Sequence, residues 1–442
     1  VVAVLIPTWR RNLALPSAVV AAAVAIAHVV IEGARWQFYP AYLLALGLVA
    51  RRLVRRQPPE RRRTFLNVPT VGGLAIVAGT AVVGWALPVP VLPDPTGAMA
   101  VGTVSWEVTD PDRIEPYDTS GEPRRVVAQA WYPADLPNAP VADPDPWVTQ
   151  PDPFGPAAAS NAGLPSFAMD HLELVESNAV ESAPIADGPW PVVVYSHGWT
   201  GVRNIQSNYA EELASHGFVV LSLDHTYAAV VTLFPDGDSV RLNEAALPFP
   251  SDVGPFAYQT AIELLGATFA EDVRTVLDQL EAGEGPELLT GTLVLDRVGL
   301  SGHSTGGGAM IRLCQTDDRC AAVLGFDPWV VPVPDSILEP GSDTPLLSIR
   351  SQAWQSHPND ERLRPFHELS AGDQGLYVIE GTTHSDFTLQ SFVSPLTGVI
   401  NLTGKVDGEP LHAAVNATAL GFFDQHLRGG PPINVPALIQ PD

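Results

Sequence analysis

The stretch "GLSGHSTGGGAM", residues 299–310, decides how this chain is read. It sets a serine between a histidine and a threonine and surrounds them with glycine. A run of glycines costs backbone entropy, so some structural need must offset it. Gly302-His303-Ser304-Thr305-Gly306 fits G-x-S-x-G, with "DRVGL" reading as a strand before it and "GGGAM" opening a helix after it. That context predicts a nucleophile elbow, a tight strand-to-helix turn that exposes a serine above a sheet. The residues two before and two after must be tiny, because backbone crowds there. Gly302 and Gly306 meet that demand, and Gly307 and Gly308 let the helix approach the sheet. The bland alternative is a glycine-rich turn without chemistry. His303 reads as a packing residue, since elbow neighbours point away from the nucleophile.

A serine hydroxyl is a poor nucleophile without a base. Among eleven histidines, His384 in "EGTTHSDF" sits in a loop just after the predicted last buried strand, "GLYVIEG". The chain order serine, acid, histidine of this architecture puts the base there. His197, in "SHG", is the main rival, but an early strand end suits shaping of an oxyanion loop. His225, in "LDHTY", is at another strand end and is expected to line the substrate pocket. The acid must hold the far nitrogen of the imidazole. Asp327, in "GFDPW", follows a strand directly after the elbow helix and is chosen over Asp343 and Asp360. Those two only flank the next strand, which ends in "SIRSQAW" with no carboxylate at its tip. The alternative for Asp327 is a turn residue before proline. The oxyanion needs two backbone donors. They are expected at Thr305, after the nucleophile, and at Trp199 in "HGWTG". Trp199 also offers an aromatic face to substrate, its alternative being wall packing.

Around these motifs, strand-like and helix-like runs alternate. "PVVVYSHG" and "GFVVLSLDH" are short β-branched runs about 25 residues apart. In "AIELLGATFAEDVRTVLDQL", Leu265, Phe269, Val273, Val276, Leu277 and Leu280 share one helical face. "AAVLGFDPW", "PLLSIR" and "GLYVIEG" are further buried strands, and "AAVNATALGFFDQHLRGG" is a closing helix with a glycine stop. The pattern predicts a mostly parallel sheet covered on both faces. "VSWEVT" and "RRVVAQAWYP" read as antiparallel opening strands. Residues from about 134 to 190, rich in Pro, Asp, Asn and Ala, read as an irregular insertion.

The chain has 442 residues, 46 % hydrophobic and 17 % charged, with a net charge of −25. Charge is unevenly spread. Residues 1–92 hold ten arginines, no lysine and two acids, Glu32 and Glu60, a net of +8 that leaves −33 on the rest. An acidic body repels phosphate, which excludes nucleic acid as a partner. Three apolar stretches occupy the basic head, at 16–31, 36–50 and 68–89. Buried core helices are one reading. The arginine clusters, Arg10 and Arg11 before the first stretch and "RRLVRRQPPERRR" after the second, favour another. They predict a multi-pass membrane anchor over 1–92, with the catalytic body, 102–442, outside the cytoplasm. The two cysteines, Cys314 and Cys320 in "CQTDDRC", are either free thiols or a local disulfide. The disulfide is favoured if the body faces an oxidising space. No metal-type cluster and no cofactor motif stands out.

"PVVVYSHGWTG", "ELASHGFVVLSLDH", "DRVGLSGHSTGG", "GFDPW" and "GTTHSDF" together resemble the plasma-type (group VII) platelet-activating-factor acetylhydrolase family, over roughly residues 102–430. The resemblance implies an α/β-hydrolase fold, the triad Ser304, Asp327 and His384, and metal-free hydrolysis of short or oxidised acyl esters, including lipid esters. "HGWTGVRN", "LASHGFVV" and Trp329 also resemble bacterial cutinase-like polyester hydrolases, in which aromatic residues at the places of Trp199 and Trp329 clamp an aromatic ester. Those enzymes carry the acid one strand later. A non-catalytic binding protein of the same fold, and peptidase or thioesterase chemistry on the same triad, are the remaining alternatives.

Overall fold

The computed structural model describes residues 14–54, 68–136, 145–355 and 357–442. The strands that matter are β1 (Ala100–Ile114), β2 (Pro123–Ala134), β3 (Ala179–Glu181), β4 (Trp190–Ser196), β5 (Val219–Asp224), β6 (Leu293–His303), β7 (Cys320–Phe326), β8 (Leu346–Ser351), β9 (Gln374–Ile379) and β10 (Gln440–Pro441). Among the described residues they form one sheet in the order β10-β9-β8-β7-β6-β4-β5-β2-β1-β3. The run from β5 through β4, β6, β7 and β8 to β9 is parallel. β1 and β2 join it antiparallel, as the sequence predicts. The two-residue edge strand β10 was not foreseen.

The helices are α1 (Ala14–Glu32), α2 (Tyr39–Val54), α3 (Val68–Ala86), α4 (Pro151–Asn161), α5 (Ser207–Ser215), α6 (Pro255–Glu281), α7 (Thr305–Cys314), α8 (Asp360–Leu369) and α9 (Gly408–Arg428). Side chains alternate across a strand, so each β-branched run feeds two cores. Val192 and Val194 of β4 face α6 and α7, whose Leu265, Phe269, Val273, Met310 and Leu313 bury there. Val193 and Tyr195 face α5 and α9, with Tyr209, Leu213, Phe422 and Phe423. Each fully buried aliphatic or aromatic side chain contributes about 1.5–3 kcal/mol relative to exposure. The predicted stripe of α6 is buried through Leu277, with Leu280 partly covered. Gly429, at φ +70°, ends α9 in the left-handed conformation that stops a helix. Covering both faces leaves one place for a site on the parallel part: the carboxyl ends of the strands.

One expectation is corrected, and another finds no support. The segment at 134–190 is not simply irregular: it holds α4, a 3-10 helix at Ser166–Leu174, and β3, which adds in parallel to β1. The basic head does form helices, but among the described residues none is long and apolar enough to cross a membrane. The head also packs on the body. Trp36 meets Phe167 edge-on at 4.9 Å, and Ser394 Oγ donates to the Ala86 carbonyl at 2.6 Å. The arginines at 10–11 and 55–63 lie outside the described residues. Cys314 and Cys320 are joined by a disulfide, which ties the end of α7 to the start of β7.

Candidate active site

β6 ends at His303 and α7 starts at Thr305, so one residue makes the whole turn. That residue, Ser304, has φ +55° and ψ −122°. Such a backbone costs about 1–3 kcal/mol outside glycine and persists only where surroundings hold it. Here the Ser304 amide donates to Phe326 at 3.0 Å, and its carbonyl accepts from Gly308 at 3.0 Å and Trp329 at 2.8 Å. A Cβ on Gly306 would run into the carbonyl oxygens of Ser196 and His197, so only glycine lets α7 start there. The Ser304 hydroxyl is not spent on capping the helix.

The acid and the base arrive from neighbouring strand ends. Asp327 follows β7 with φ +42° and is fully buried. Its carboxylate accepts from Ser351 N at 2.7 Å, Ser351 Oγ at 2.6 Å and His384 Nδ1 at 3.0 Å. His384 opens a short turn after β9, capped by Thr383 and Asp386. Its carbonyl accepts from His303 Nε2 at 2.9 Å. Burial raises the Asp327 carboxyl to about 6, against the pull of the two Ser351 bonds. Burial, helped by the charge of His357, lowers the His384 imidazole to about 3. Near neutrality the pair is therefore a carboxylate and a neutral imidazole, whose Nδ1–H is committed to Asp327. Among the described residues Ser304 Oγ makes no hydrogen bond to His384. Such contacts are often long before substrate binds.

The turn after β4 meets the elbow from the other side. A Cβ on Gly198 would come within 2.8 Å of Ser304 Cβ, so glycine permits the contact. The Gly198 carbonyl is pinned twice, by His197 Nδ1 at 2.7 Å and by Gly201 N at 2.9 Å. A trans peptide points its N–H opposite to its C=O. The Trp199 N–H is thus turned away from both donors, and among the described residues it meets no acceptor. The Thr305 N–H, at the first position of α7, is likewise unbonded there. His197 is held in the Nδ1–H form because its Nε2 accepts from His225 N at 3.2 Å.

His225 does not line a pocket. It is 0 % exposed, with Nε2 on Ser196 Oγ and Nδ1 on Asp272, both at 2.9 Å, and it stacks on Phe269. Burial lowers its pKa to about 3. Burial opposes charge on Asp272 too, but the Arg124 guanidinium, bound at 3.1 and 2.7 Å, holds that carboxyl well below its usual range. Polar partners at both ring nitrogens and the Phe269 ring on one face, rather than a cavity, explain the position of His225. Trp199 and Trp329 are partly exposed, Trp199 resting on the core and Trp329 giving its amide to Ser304. Two contributors were missed in the sequence. Ser351 sits where no carboxylate was found, and Trp354 stacks on His384 at 4.3 Å and 6°.

The family model of platelet-activating factor acetylhydrolase, isoform II, matches residues 130–246 and 270–429. The chain belongs to that family. The matched residues include Trp199, Ser304, Asp327 and His384 and leave out the helical head. The chain is 26 % identical over 288 residues to a platelet-activating factor acetylhydrolase of Cavia porcellus, covering 60 % of this chain and 65 % of that one. It is 24 % identical over 268 residues to that of Canis lupus familiaris, covering 56 % and 59 %. The match thus spans less than two thirds of either relative's length. A solved ferulic acid esterase from Streptomyces cinnamoneus superposes with a TM-score of 0.66 at 24 % identity, covering 80 % of this chain and 99 % of that one. At that identity the likeness speaks for the α/β-hydrolase fold alone.

Proposed function

We propose that the chain is a serine carboxylic-ester hydrolase that works through an acyl-enzyme on short-chain or lipid-type esters of the platelet-activating-factor kind. The observation that carries this reading is the Asp327–His384 pair at 3.0 Å beside a strained, uncapped Ser304. In the proposed cycle Ser304 Oγ bonds to the ester carbonyl carbon as its proton passes to His384 Nε2. The carbonyl oxygen becomes an oxyanion held by the Trp199 and Thr305 amides, each worth about 3 kcal/mol of barrier. The carbon–oxygen bond to the alcohol breaks, and the alcohol leaves with the proton from His384. Water then adds to the acyl carbon, giving its proton to His384. The Ser304 ester bond breaks, the acid departs and the hydroxyl is restored. Nothing in this cycle calls for a metal or an organic cofactor.

Trp199 and Trp329 are proposed to contact the substrate, which keeps polyester hydrolysis open as a side activity. The acid argues for the lipid-ester reading, since Asp327 rather than residue 351 meets the imidazole. We also place the body in an oxidising, extracytoplasmic space, because disulfides such as Cys314–Cys320 persist there; reduced cysteines in protein alkylated directly from cells would oppose that placement. The test of the main reading is Ser304→Ala against p-nitrophenyl butyrate and a fluorophosphonate probe. Loss of turnover and labelling is expected. Unchanged turnover refutes the assignment, and a wild-type chain that never labels favours a binding protein.

A further inference from the structure

The residues after β8 touch both the acid and the base. Ser351 gives Asp327 two hydrogen bonds, at 2.7 and 2.6 Å. Three residues on, the Trp354 ring lies parallel to the His384 imidazole, 4.3 Å away at 6°. Three more bonds stitch this turn to the loop carrying the base. Gln352 N reaches Thr382 Oγ1 at 3.3 Å, Ala353 N reaches the Thr382 carbonyl at 3.3 Å, and Gly381 N reaches Gln352 Oε1 at 2.8 Å. His303 meets the same imidazole at 4.3 Å, and it makes no ring contact with Trp354. The His303 ring is tilted by 35° against the imidazole, so it contacts it differently from the parallel Trp354. The outer face of Trp354 is covered by the exposed His357, stacked at 4.6 Å and 10°.

We propose that Trp354 is a positioning residue of this site: its indole holds the His384 imidazole in the plane that serves both Asp327 and Ser304, and covers one of its faces against water. The proposal rests on the ester-hydrolase reading. A single bond from Nδ1 to Asp327 leaves the imidazole free to swing about that contact. A flat indole on one face, with the tilted His303 ring also in contact, restrains the swing. The requirement is for an aromatic plane, since an aliphatic side chain restrains tilt poorly. The titratable groups facing the imidazole are Asp327 from β7, His303 from β6 and, across the indole, His357. Asp386, on the same turn, is occupied by Thr383 and Gly404 N. Arg350 of β8 is paired with Asp360 and Asp442.

The experiment is steady-state hydrolysis of p-nitrophenyl butyrate by the full chain between pH 5 and 9, for wild type, W354A, W354F and S304A. W354A is expected to lose roughly 10- to 100-fold in kcat with KM within about twofold, as misplaced catalytic groups do. Its acid limb, whose midpoint belongs to the Asp327–His384 pair, is expected to move to higher pH, because water reaching the imidazole relieves the burial that lowers its affinity for protons. W354F is expected to recover most of both. A W354A chain with unchanged kcat and limb overturns the proposal, and so does a loss confined to KM. A W354F chain as slow as W354A also overturns it. If S304A keeps full activity, the ester-hydrolase reading itself has failed, whatever Trp354 does.

Discussion

Ser351→Ala isolates one hydroxyl, and its effect can be worked out from the site. Ser351 Oγ donates to the Asp327 carboxylate at 2.6 Å in a fully buried place. A hydrogen bond to a charged group is worth about 1.5–3 kcal/mol. It favours the ionised acid, so its loss raises the carboxyl pKa, by about one unit per 1.4 kcal/mol. From about 6, where burial holds it, Asp327 is expected to rise by roughly one to two units in the variant. The proposed reaction needs the carboxylate, which orients the imidazole and balances its charge. Activity therefore falls as pH drops through this value. The acid limb of kcat/KM is expected to shift alkaline by the same amount, with an apparent midpoint belonging to the Asp327–His384 pair. Near pH 7 the variant is then several-fold slower, and near pH 9 it approaches wild type. The assay is p-nitrophenyl butyrate turnover across pH, corrected for spontaneous hydrolysis. A uniform loss at every pH, or no shift of the limb, refutes the electrostatic role given to Ser351.

His197→Leu removes one of the two donors on the Gly198 carbonyl, leaving Gly201 N alone. The Trp199 N–H then loses its aim, and kcat is expected to fall by up to about 10²–10³, the value of one oxyanion donor; rapid-mixing kinetics showing normal acylation would contradict this. Cys314→Ser is expected to destabilise the body by about 2 kcal/mol, from a disulfide whose partners are 6 residues apart. Urea midpoints measured with and without reductant check it, since only the wild type should respond to reductant.

Much of this site was legible because its residues obey local rules. Ser304 stands out through its glycines, and His384 and Asp327 through their places after buried strands. Trp199 stands out through the glycines of "HGWTG". What failed did so for tertiary reasons. His225 ends a strand as a pocket residue would, but Asp272 lies 47 positions away in sequence and nothing local announces their bond. Trp354 and Ser351 were passed over because only a carboxylate was sought at that strand tip. The head was read from composition alone. Its stretches are apolar, yet among the described residues no helix is long and apolar enough to cross a membrane.

The burial of the acid and base explains why neither acts alone. Taking Asp327 out of water raises its pKa, and taking His384 out of water lowers its own, so each charge is disfavoured singly. Once a proton reaches His384 Nε2, the imidazolium and the carboxylate stand 3.0 Å apart at Nδ1. Asp327 is fully buried and the His384 side chain is 32 % exposed, so their attraction is stronger than in water. The resting site holds a carboxylate that accepts from Ser351 and from the Nδ1–H of a neutral ring. The site after proton transfer holds a matched ion pair. Burial therefore works against the resting carboxylate more than against the ion pair that proton abstraction creates. That difference favours proton abstraction from Ser304 only while the imidazole stays in line with the acid. The Trp354 plane and the Ser351 bonds therefore act on one quantity, the geometry of that pair, and both arise from the same turn after β8.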